Sequence, residues 1–213
     1  MATCEKIVGL TPTQAFLKRF LDIVGAAIGL ILTGWIILPA FLAATVDTRT
    51  KGFFTQTRVG RHGRIFRVIK IRTMRHVKGL NTTVTTDQDP RITPLGRFFR
   101  RTKIDELPQL FNVLLGRMSF VGPRPDVPGF ADRLQGDDRI ILTVRPGITG
   151  PATLKYRNEE KLLSRYENPE QYNQEVIFPD KLRINRAYVE NYRFYKDIKY
   201  ILRTIIPMKK EIE

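Results

Sequence analysis

The chain has 213 residues, and its 36 lysines and arginines against 21 aspartates and glutamates give a formal net charge of +15. This length suits one domain with an appendage, and the positive charge favours polyanionic partners such as nucleic acid, anionic lipid or phosphorylated substrates. Cys4 is the only cysteine, which excludes an internal disulfide, and with two histidines the chain offers few ligands for zinc. Carboxylates and phosphates would hold any bound metal, which favours Mg²⁺.

The longest apolar stretch runs from Ile23 to Val46 without a charged residue. At about 1.5 Å per residue, a helix of this length can cross a hydrocarbon core of about 30 Å. Basic residues flank it on both sides, whereas a simple span is normally oriented by an asymmetry of charge. A helix that enters the membrane, kinks at Pro39 and returns satisfies this pattern; a single span is the alternative.

Residues 53–59 and 64–73 alternate apolar and polar side chains around Gly60-Arg61-His62-Gly63, which is typical of a β-hairpin. Lys70 in the second strand is either a solvated residue or a phosphate ligand. The polar residues 77–92 predict a loop.

Two adjacent carboxylates, Asp105 and Glu106, follow a short basic helix predicted over 93–101. Apolar residues at helical spacing come next, Pro108 fits the first turn of a helix, and Gly116 fits its end. The pair therefore lies at the predicted start of a helix. There it either complements the partial positive charge of the helix N-terminus or takes part in chemistry.

Two arginines lie between rigid residues. Arg124 belongs to GPRP, and Arg145 belongs to VRPGITG. Neighbouring prolines limit the movement of each arginine, which suits a guanidinium that grips phosphate or carboxylate. A rigid surface turn is the alternative.

Residues 182–206 predict one amphipathic helix. Aromatic and aliphatic side chains fall near one stripe, with basic residues elsewhere: Tyr188, Tyr192, Tyr195, Ile198, Leu202 and Ile205. Such a helix suits a membrane interface, and packing on a globular core is the alternative. Together these elements predict an α+β protein.

The block LGRFFRRTKIDELPQLFNVLLGRMSFVGPRP is highly specific, and KRFLDI, KIRTM and VRPGITG accompany it. Over roughly residues 18–204 the chain resembles the bacterial sugar transferase family, the monotopic phosphoglycosyl transferases, and its length is similar to that of the small members. The resemblance implies an N-terminal segment (1–17), a re-entrant membrane helix kinked near Pro39 (18–48) and a small catalytic domain (49–213). That domain would lie on the cytoplasmic face of the bacterial inner membrane.

Members of this family transfer sugar-1-phosphate from a UDP-sugar to a polyprenol phosphate, usually undecaprenyl phosphate, and so start a surface glycan such as exopolysaccharide, lipopolysaccharide or capsule. The resemblance implies that Asp105 is the nucleophile, forming an aspartyl-phosphosugar with release of UMP, and that Glu106 helps to hold Mg²⁺. It implies phosphate binding by four basic residues: Lys70, Arg100, Arg124 and Arg145. Anionic lipids and a second copy of the chain are further expected partners, and nucleic acid is not.

Three positions depart from the family pattern: Leu38 replaces a frequent serine, Asn185 a frequent acidic residue and Pro151 a frequent aromatic residue. We therefore expect no catalytic role for Asn185 and altered substrate contacts near Pro151. Two other classes of protein are alternatives to this interpretation. A membrane-tethered nucleic-acid binder rests on charge alone and has no recognisable base-reading motif. A non-catalytic scaffold of the same fold would tolerate the loss of Asp105.

Overall fold

The computed structural model describes residues 9–76, 85 and 89–206. Within them the α-helices are α1 (Pro12–Thr48), α2 (Pro94–Thr102), α3 (Gln109–Leu114), α4 (Pro151–Lys155), α5 (Glu159–Leu163), α6 (Pro169–Tyr172), α7 (Phe178–Glu190) and α8 (Phe194–Ile205). The strands are β1 (Phe53–Val59), β2 (Ile65–Ile71), β3 (Ser119–Val121) and β4 (Gly147–Thr149). This mixture of helices and strands agrees with the predicted class, and α2 confirms the predicted basic helix. Most of the loop predicted over 77–92 lies outside the described residues.

Helix α1 begins with a capping box. The Thr11 hydroxyl accepts a hydrogen bond from the Gln14 backbone N–H, and the Gln14 side chain accepts one from the Thr11 N–H. The helix starts at Pro12, earlier than the predicted residue 18, and continues through Pro39 to Thr48. Its length and composition would allow it to cross a membrane.

One face of α1 packs on the rest of the protein along almost its whole length. Buried residues recur on this face: Lys18, Asp22, Ala26, Ile37, Ala40, Ala44 and Thr48. Ala26 packs with α3 and β2 residues, whereas Ile37 and Ala44 pack with Ile71 and Phe99 of β2 and α2. The opposite face exposes large apolar side chains, including Phe16, Ile31, Trp35, Leu38 and Val46. An exposed apolar face of this extent is suited to lipid contact.

Strands β1 and β2 form the predicted antiparallel hairpin. Asn112 of α3, which is fully buried, fixes the second strand: its Oδ1 accepts from the Ile69 N–H at 3.0 Å and its Nδ2 donates to the Arg67 carbonyl at 2.8 Å. Because these bonds hold the backbone beside Lys70, α3 and the hairpin form one rigid support for that lysine.

Strands β3 and β4 pair in parallel and bring two loops together. A Cβ atom at Gly147 or at Gly150 would collide with the backbone of Gly122, so only glycine permits this approach at either position. The Gly122 N–H also donates to the carbonyl of Thr149 at 2.9 Å. The loop that carries Arg124 is therefore locked against VRPGITG.

The prediction of one C-terminal helix over 182–206 is wrong, because the chain leaves the helical conformation between Glu190 and Phe194. The cause is a buried carboxylate at Asp197, which accepts hydrogen bonds from the hydroxyls of Tyr188 and Tyr192 at 2.8 and 3.2 Å. Only a folded-back α8 brings these groups together. The tyrosines of α7 and the turn are thus core residues, whereas the apolar stripe of α8 is exposed.

The same carboxylate joins α8 to α1, because Lys18 Nζ lies 2.5 Å from Asp197 Oδ2. Replacing Lys18 with Met leaves this buried carboxylate without its cation. Removing one partner of a buried ion pair costs about 3–5 kcal/mol, so we expect the free energy of unfolding to fall by about that amount. Denaturant unfolding in detergent micelles, followed by circular dichroism, measures the change.

Lys199→Met, on the exposed face of α8, is the matched control and should change the free energy by less than about 0.5 kcal/mol. Equal, small effects of the two substitutions would contradict a structural role for the Lys18–Asp197 pair.

Candidate active site

The two adjacent carboxylates lie in a sharp turn between α2 and α3. Lys103 ends α2 with a left-handed backbone (φ 60°), which is strained for a residue other than glycine, and a 3₁₀ turn over Ile104–Glu106 follows. The pair therefore precedes α3 instead of opening it as predicted, because Leu107 and Pro108 separate this turn from the helix. The reversal at Lys103 leaves Asp105 buried.

Glu106 is the centre of an ion cluster. Its Oε1 accepts from Arg124 Nη2 at 2.6 Å and from Lys70 Nζ at 3.3 Å, and its side chain is 12% exposed. Burial alone would raise the pKa of this carboxyl, but Arg124, Lys70 and Lys103 together hold the pKa well below its usual range. Glu106 is consequently ionised throughout the physiological range.

Asp105 lies in a different environment although it is the next residue. It is 7% exposed, and among the described residues no donor reaches its buried Oδ1 atom. Burial and the neighbouring Glu106 charge raise the pKa of Asp105 to about 6, against the opposing effect of Lys70, Lys103 and Arg100. At pH 7 this carboxylate is mostly ionised, and one of its oxygens is uncommitted.

Three of the four predicted phosphate-binding residues lie close to the carboxylate pair. Lys70 and Arg124 contact Glu106 directly, and the pKa of Lys70 is lowered by burial in spite of this partner. Arg100 affects the pKa of Asp105 through its charge, while its guanidinium donates to Thr73 Oγ1 and Glu160 Oε1, both at 3.1 Å. Positive charge therefore surrounds the pair from β2, α2 and the GPRP loop.

Arg145 makes different contacts. Its Nε donates to the Gly116 carbonyl at 2.9 Å, and the charged groups that affect its pKa are Arg19, Arg61 and Asp22. Since Gly116 follows α3, Arg145 binds the C-terminal end of that helix. Its phosphate-binding role, which the resemblance implied, stays a prediction.

The three positions that depart from the family pattern lie in separate places. Leu38 is on the exposed face of α1, Pro151 is the first residue of α4, and Asn185 is buried in α7.

A second charged group beside Arg124 was missed in the sequence. The charges of Lys181, Arg58 and Glu159 influence the pKa of Asp126, and Lys181 of α7 pairs with Glu159 of α5 at 2.7 Å; we call these four residues the Asp126 cluster. Residues 155–180 carry no periodic pattern that predicts such an assembly, and the position of Asp126, two residues after Arg124, was the one available signal.

The chain belongs to the bacterial sugar transferase family, whose model matches residues 13–211. It is 36% identical over 203 residues to the galactosyl transferase CpsE of Streptococcus agalactiae, covering 88% of this chain and 41% of that protein. It is 39% identical over 151 residues to a putative undecaprenyl-phosphate N-acetylgalactosaminyl 1-phosphate transferase of Bacillus subtilis, covering 68% and 80%. It is 34% identical over 201 residues to the UDP-glucose:undecaprenyl-phosphate glucose-1-phosphate transferase of Escherichia coli, covering 92% and 41%. The chain thus spans about two fifths of the length of several relatives.

Asp105→Asn should stabilise the protein at pH 8. Since the pKa of Asp105 in the folded protein is raised from 3.8 to about 6, keeping it ionised above pH 6 costs about 3 kcal/mol. The amide avoids this penalty. As the pH falls below about 4 the carboxyl is protonated in both the folded and the unfolded state, so the advantage of the amide should disappear. Thermal unfolding of both proteins at pH 8 and pH 3 measures this difference in stability.

Asp137→Asn is the control, because the Asp137 side chain is 71% exposed. It should not change stability in this pH-dependent manner. A lower stability of Asp105→Asn at pH 8 would mean that the carboxylate is stabilised in the fold rather than strained.

Proposed function

We propose that the protein transfers sugar-1-phosphate from a UDP-sugar to undecaprenyl phosphate and thereby initiates synthesis of a surface glycan. The observation that carries the proposal is the Asp105 carboxylate, whose buried Oδ1 accepts no hydrogen bond from the described residues, beside a Glu106 that Lys70 and Arg124 hold in place. The names of relatives from Salmonella typhimurium and Escherichia coli describe sugar phosphotransferases that use undecaprenyl phosphate.

In the first step, an Asp105 carboxylate oxygen attacks the β-phosphorus of the UDP-sugar. A bond forms between this oxygen and phosphorus, and the bond from phosphorus to the bridging oxygen breaks, so that UMP leaves with the electron pair. No proton moves, because the nucleophile is already ionised. Lys70 and Arg124 offset the negative charge of the phosphates, which is the main requirement of phosphoryl transfer.

In the second step, a phosphate oxygen of undecaprenyl phosphate attacks the same phosphorus. The bond to Asp105 breaks, the carboxylate is restored, and undecaprenyl-diphospho-sugar is released. A carboxyl with a pKa of about 6 serves both steps, because it is ionised at pH 7 and still leaves readily as a weak base. A covalent intermediate thus divides the transfer into two displacements at one phosphorus.

Mg²⁺ fits the donor set as a cofactor. Glu106 is ionised, and its Oε1 accepts both cationic side chains, while no described side chain donates to its Oε2. In the described part of the chain no three His, Cys, Asp or Glu side chains lie together as a metal-binding group. Mg²⁺ does not need such a group, because it commonly binds one or two carboxylates together with substrate phosphates. Glu106 would hold the ion, which when bound supplies charge neutralisation at the phosphates.

The packing of α1 supports a re-entrant arrangement with the catalytic domain on the cytoplasmic face of the inner membrane. Both halves of α1 pack on the same body, since Lys18 binds α8 and Ala44 packs with β2 and α2. A simple span would place one end about 30 Å away across the hydrocarbon core. The exposed face of α1 would lie in lipid, and the basic residues of α8 would bind anionic headgroups, at about 1 kcal/mol for each Lys or Arg.

UMP release tests the reaction. Purified protein in nanodiscs with Mg²⁺, undecaprenyl phosphate and a panel of UDP-sugars should release UMP from one or a few donors. Asp105→Asn should lose at least about 10³-fold in kcat, because the amide is no nucleophile. The loss can be measured with a coupled UMP assay, while thermal unfolding shows that the variant is folded.

Mass spectrometry distinguishes the covalent route from direct transfer. Incubation with a UDP-sugar and no lipid acceptor should add one sugar-phosphate to Asp105 of the wild-type protein. Transfer by a folded Asp105→Asn variant at the wild-type rate would refute the covalent mechanism.

Cysteine labelling tests the topology. In a Cys4→Ser background, Thr13→Cys and Asp137→Cys should both react with a membrane-impermeant maleimide only from the cytoplasmic side. The expectation follows from the two ends of α1 packing on one domain. Reaction of position 13 from the periplasm, with position 137 protected there, would instead demonstrate a single span.

A further inference from the structure

The charged residues near the start of α1 take no part in the two displacements, although their KRFLDI motif accompanies the carboxylate block in the sequence. Each of them contacts a different element. Lys18 binds α8, and the Arg19 guanidinium donates to the carbonyls of Val113 and Leu114 at 2.7 and 2.8 Å. These carbonyls lie at the end of α3, where helical carbonyls lack partners within the helix. Asp22 binds β3, so one turn of α1 contacts three separate parts of the fold.

Asp22 is a buried carboxylate whose bonds go to a single strand. Its side chain belongs to a residue that is 1% exposed, and Ser119 opposite it is fully buried. Its Oδ1 accepts from the Ser119 hydroxyl and from the Phe120 N–H, both at 2.9 Å. Among the described residues no donor reaches its Oδ2. Since loss of this carboxylate would leave two buried donors without an acceptor, Asp22 fixes the first two residues of β3 against α1.

The chain from β3 to Arg124 is held at every residue. Val121 pairs with β4, the Gly122 N–H donates to β4 at 2.9 Å, and the Pro123 carbonyl accepts from β4 at 2.8 Å. Arg124 follows directly. The two strands and the GPRP loop therefore form one unit, and a displacement of β3 from α1 would displace Arg124 as well.

The same turn of α1 sets the distance between two parts of the candidate active site. Arg19 and Asp22 are three residues apart and so are neighbours on the helix surface. Arg19 holds α3, which follows the carboxylate turn, whereas Asp22 holds the unit that carries Arg124. The contact of 2.6 Å between Arg124 and Glu106 joins these two parts. Close packing supports the arrangement, because a Cβ atom at Gly25 of α1 would lie 2.8 Å from the ring of the β3 phenylalanine.

We propose that Asp22 is a positioning residue for Arg124. By holding β3 on the turn of α1 that also holds α3, it places the Arg124 guanidinium beside Glu106, where the phosphates of the donor bind. The inference rests on the proposed transfer reaction, since it takes Arg124 as a ligand of those phosphates. A structural anchor with no effect through Arg124 is the alternative that the experiment must separate.

Binding of UDP, measured by isothermal titration calorimetry in nanodiscs with Mg²⁺, tests the positioning role. Asp22→Ala removes the acceptor of both β3 donors, so we expect UDP to bind about tenfold more weakly. Asp22→Asn keeps the side-chain oxygen that accepts these bonds and should bind UDP within about threefold of the wild-type affinity. Equally weakened binding in both folded variants would contradict a role for this oxygen.

A double-mutant cycle with Arg124→Ala distinguishes positioning from anchoring. If Asp22 acts through Arg124, Asp22→Ala should weaken UDP binding by less than about twofold once Arg124 is absent. Lys18→Met is the matched control, because it also removes a buried polar contact of α1, but to α8. Its effect on UDP binding should be the same with and without Arg124. An equal effect of Asp22→Ala in both backgrounds, or the same dependence on Arg124 for Lys18→Met, would overturn the proposal.

Thermal unfolding shows which variants are folded. Should Asp22→Ala not fold, Ser119→Ala takes its place in the cycle. It removes one of the two donors, so it should weaken UDP binding by about threefold, again only while Arg124 is present.

Comparison with UMP release separates the positioning role from the reaction. If the wild-type protein transfers sugar but the cycle is additive, the positioning role is refuted and the reaction stands. If the wild-type protein transfers no sugar but the cycle shows the expected dependence on Arg124, the positioning role stands and the reaction is refuted.

Discussion

Helix α1 packs on the protein along one face and exposes large apolar side chains on the other, and the rest of the fold depends on this helix. Its inner face carries small or paired residues, Ala26, Ala40 and Ala44 among them, which allow α3, β2 and α2 to approach closely. These are the elements that carry or support Lys70 and the carboxylate turn. The carboxylate turn therefore lies at a distance from the exposed apolar face that is set by helix packing and not by a mobile linker.

Two adjacent carboxylates acquire opposite properties from their surroundings. Glu106 contacts two cations and is held ionised, whereas the buried Asp105 has a raised pKa and an oxygen without a donor among the described residues. When environments push the pKa values of neighbouring groups apart, the groups are suited to different tasks. Here the two pKa values differ because the two side chains point in different directions. The turn after Lys103 directs Glu106 towards Arg124 and leaves Asp105 without such a partner.

Local patterns predicted the apolar helix, the hairpin, α2 and the carboxylate pair, since each depends on periodicity or adjacency within a short stretch. The break between α7 and α8 could not be found in this way, because the apolar spacing continues across it and the cause, Asp197, acts through Lys18 at the far end of the chain. The Asp126 cluster likewise joins four distant segments. For Arg145, the motif fixed the backbone, but tertiary contacts directed the side chain to Gly116.

The glycines at 147 and 150 have an evolutionary consequence. Because a Cβ atom at either would strike the Gly122 backbone, the loop bearing Arg124 cannot be lengthened or shifted without dismantling the strand pair beneath it. Change within this part of the architecture is then confined to exchanges of side chains around an immobile backbone. Related chains can exchange side chains around Arg124, while the backbone that carries it is inherited intact.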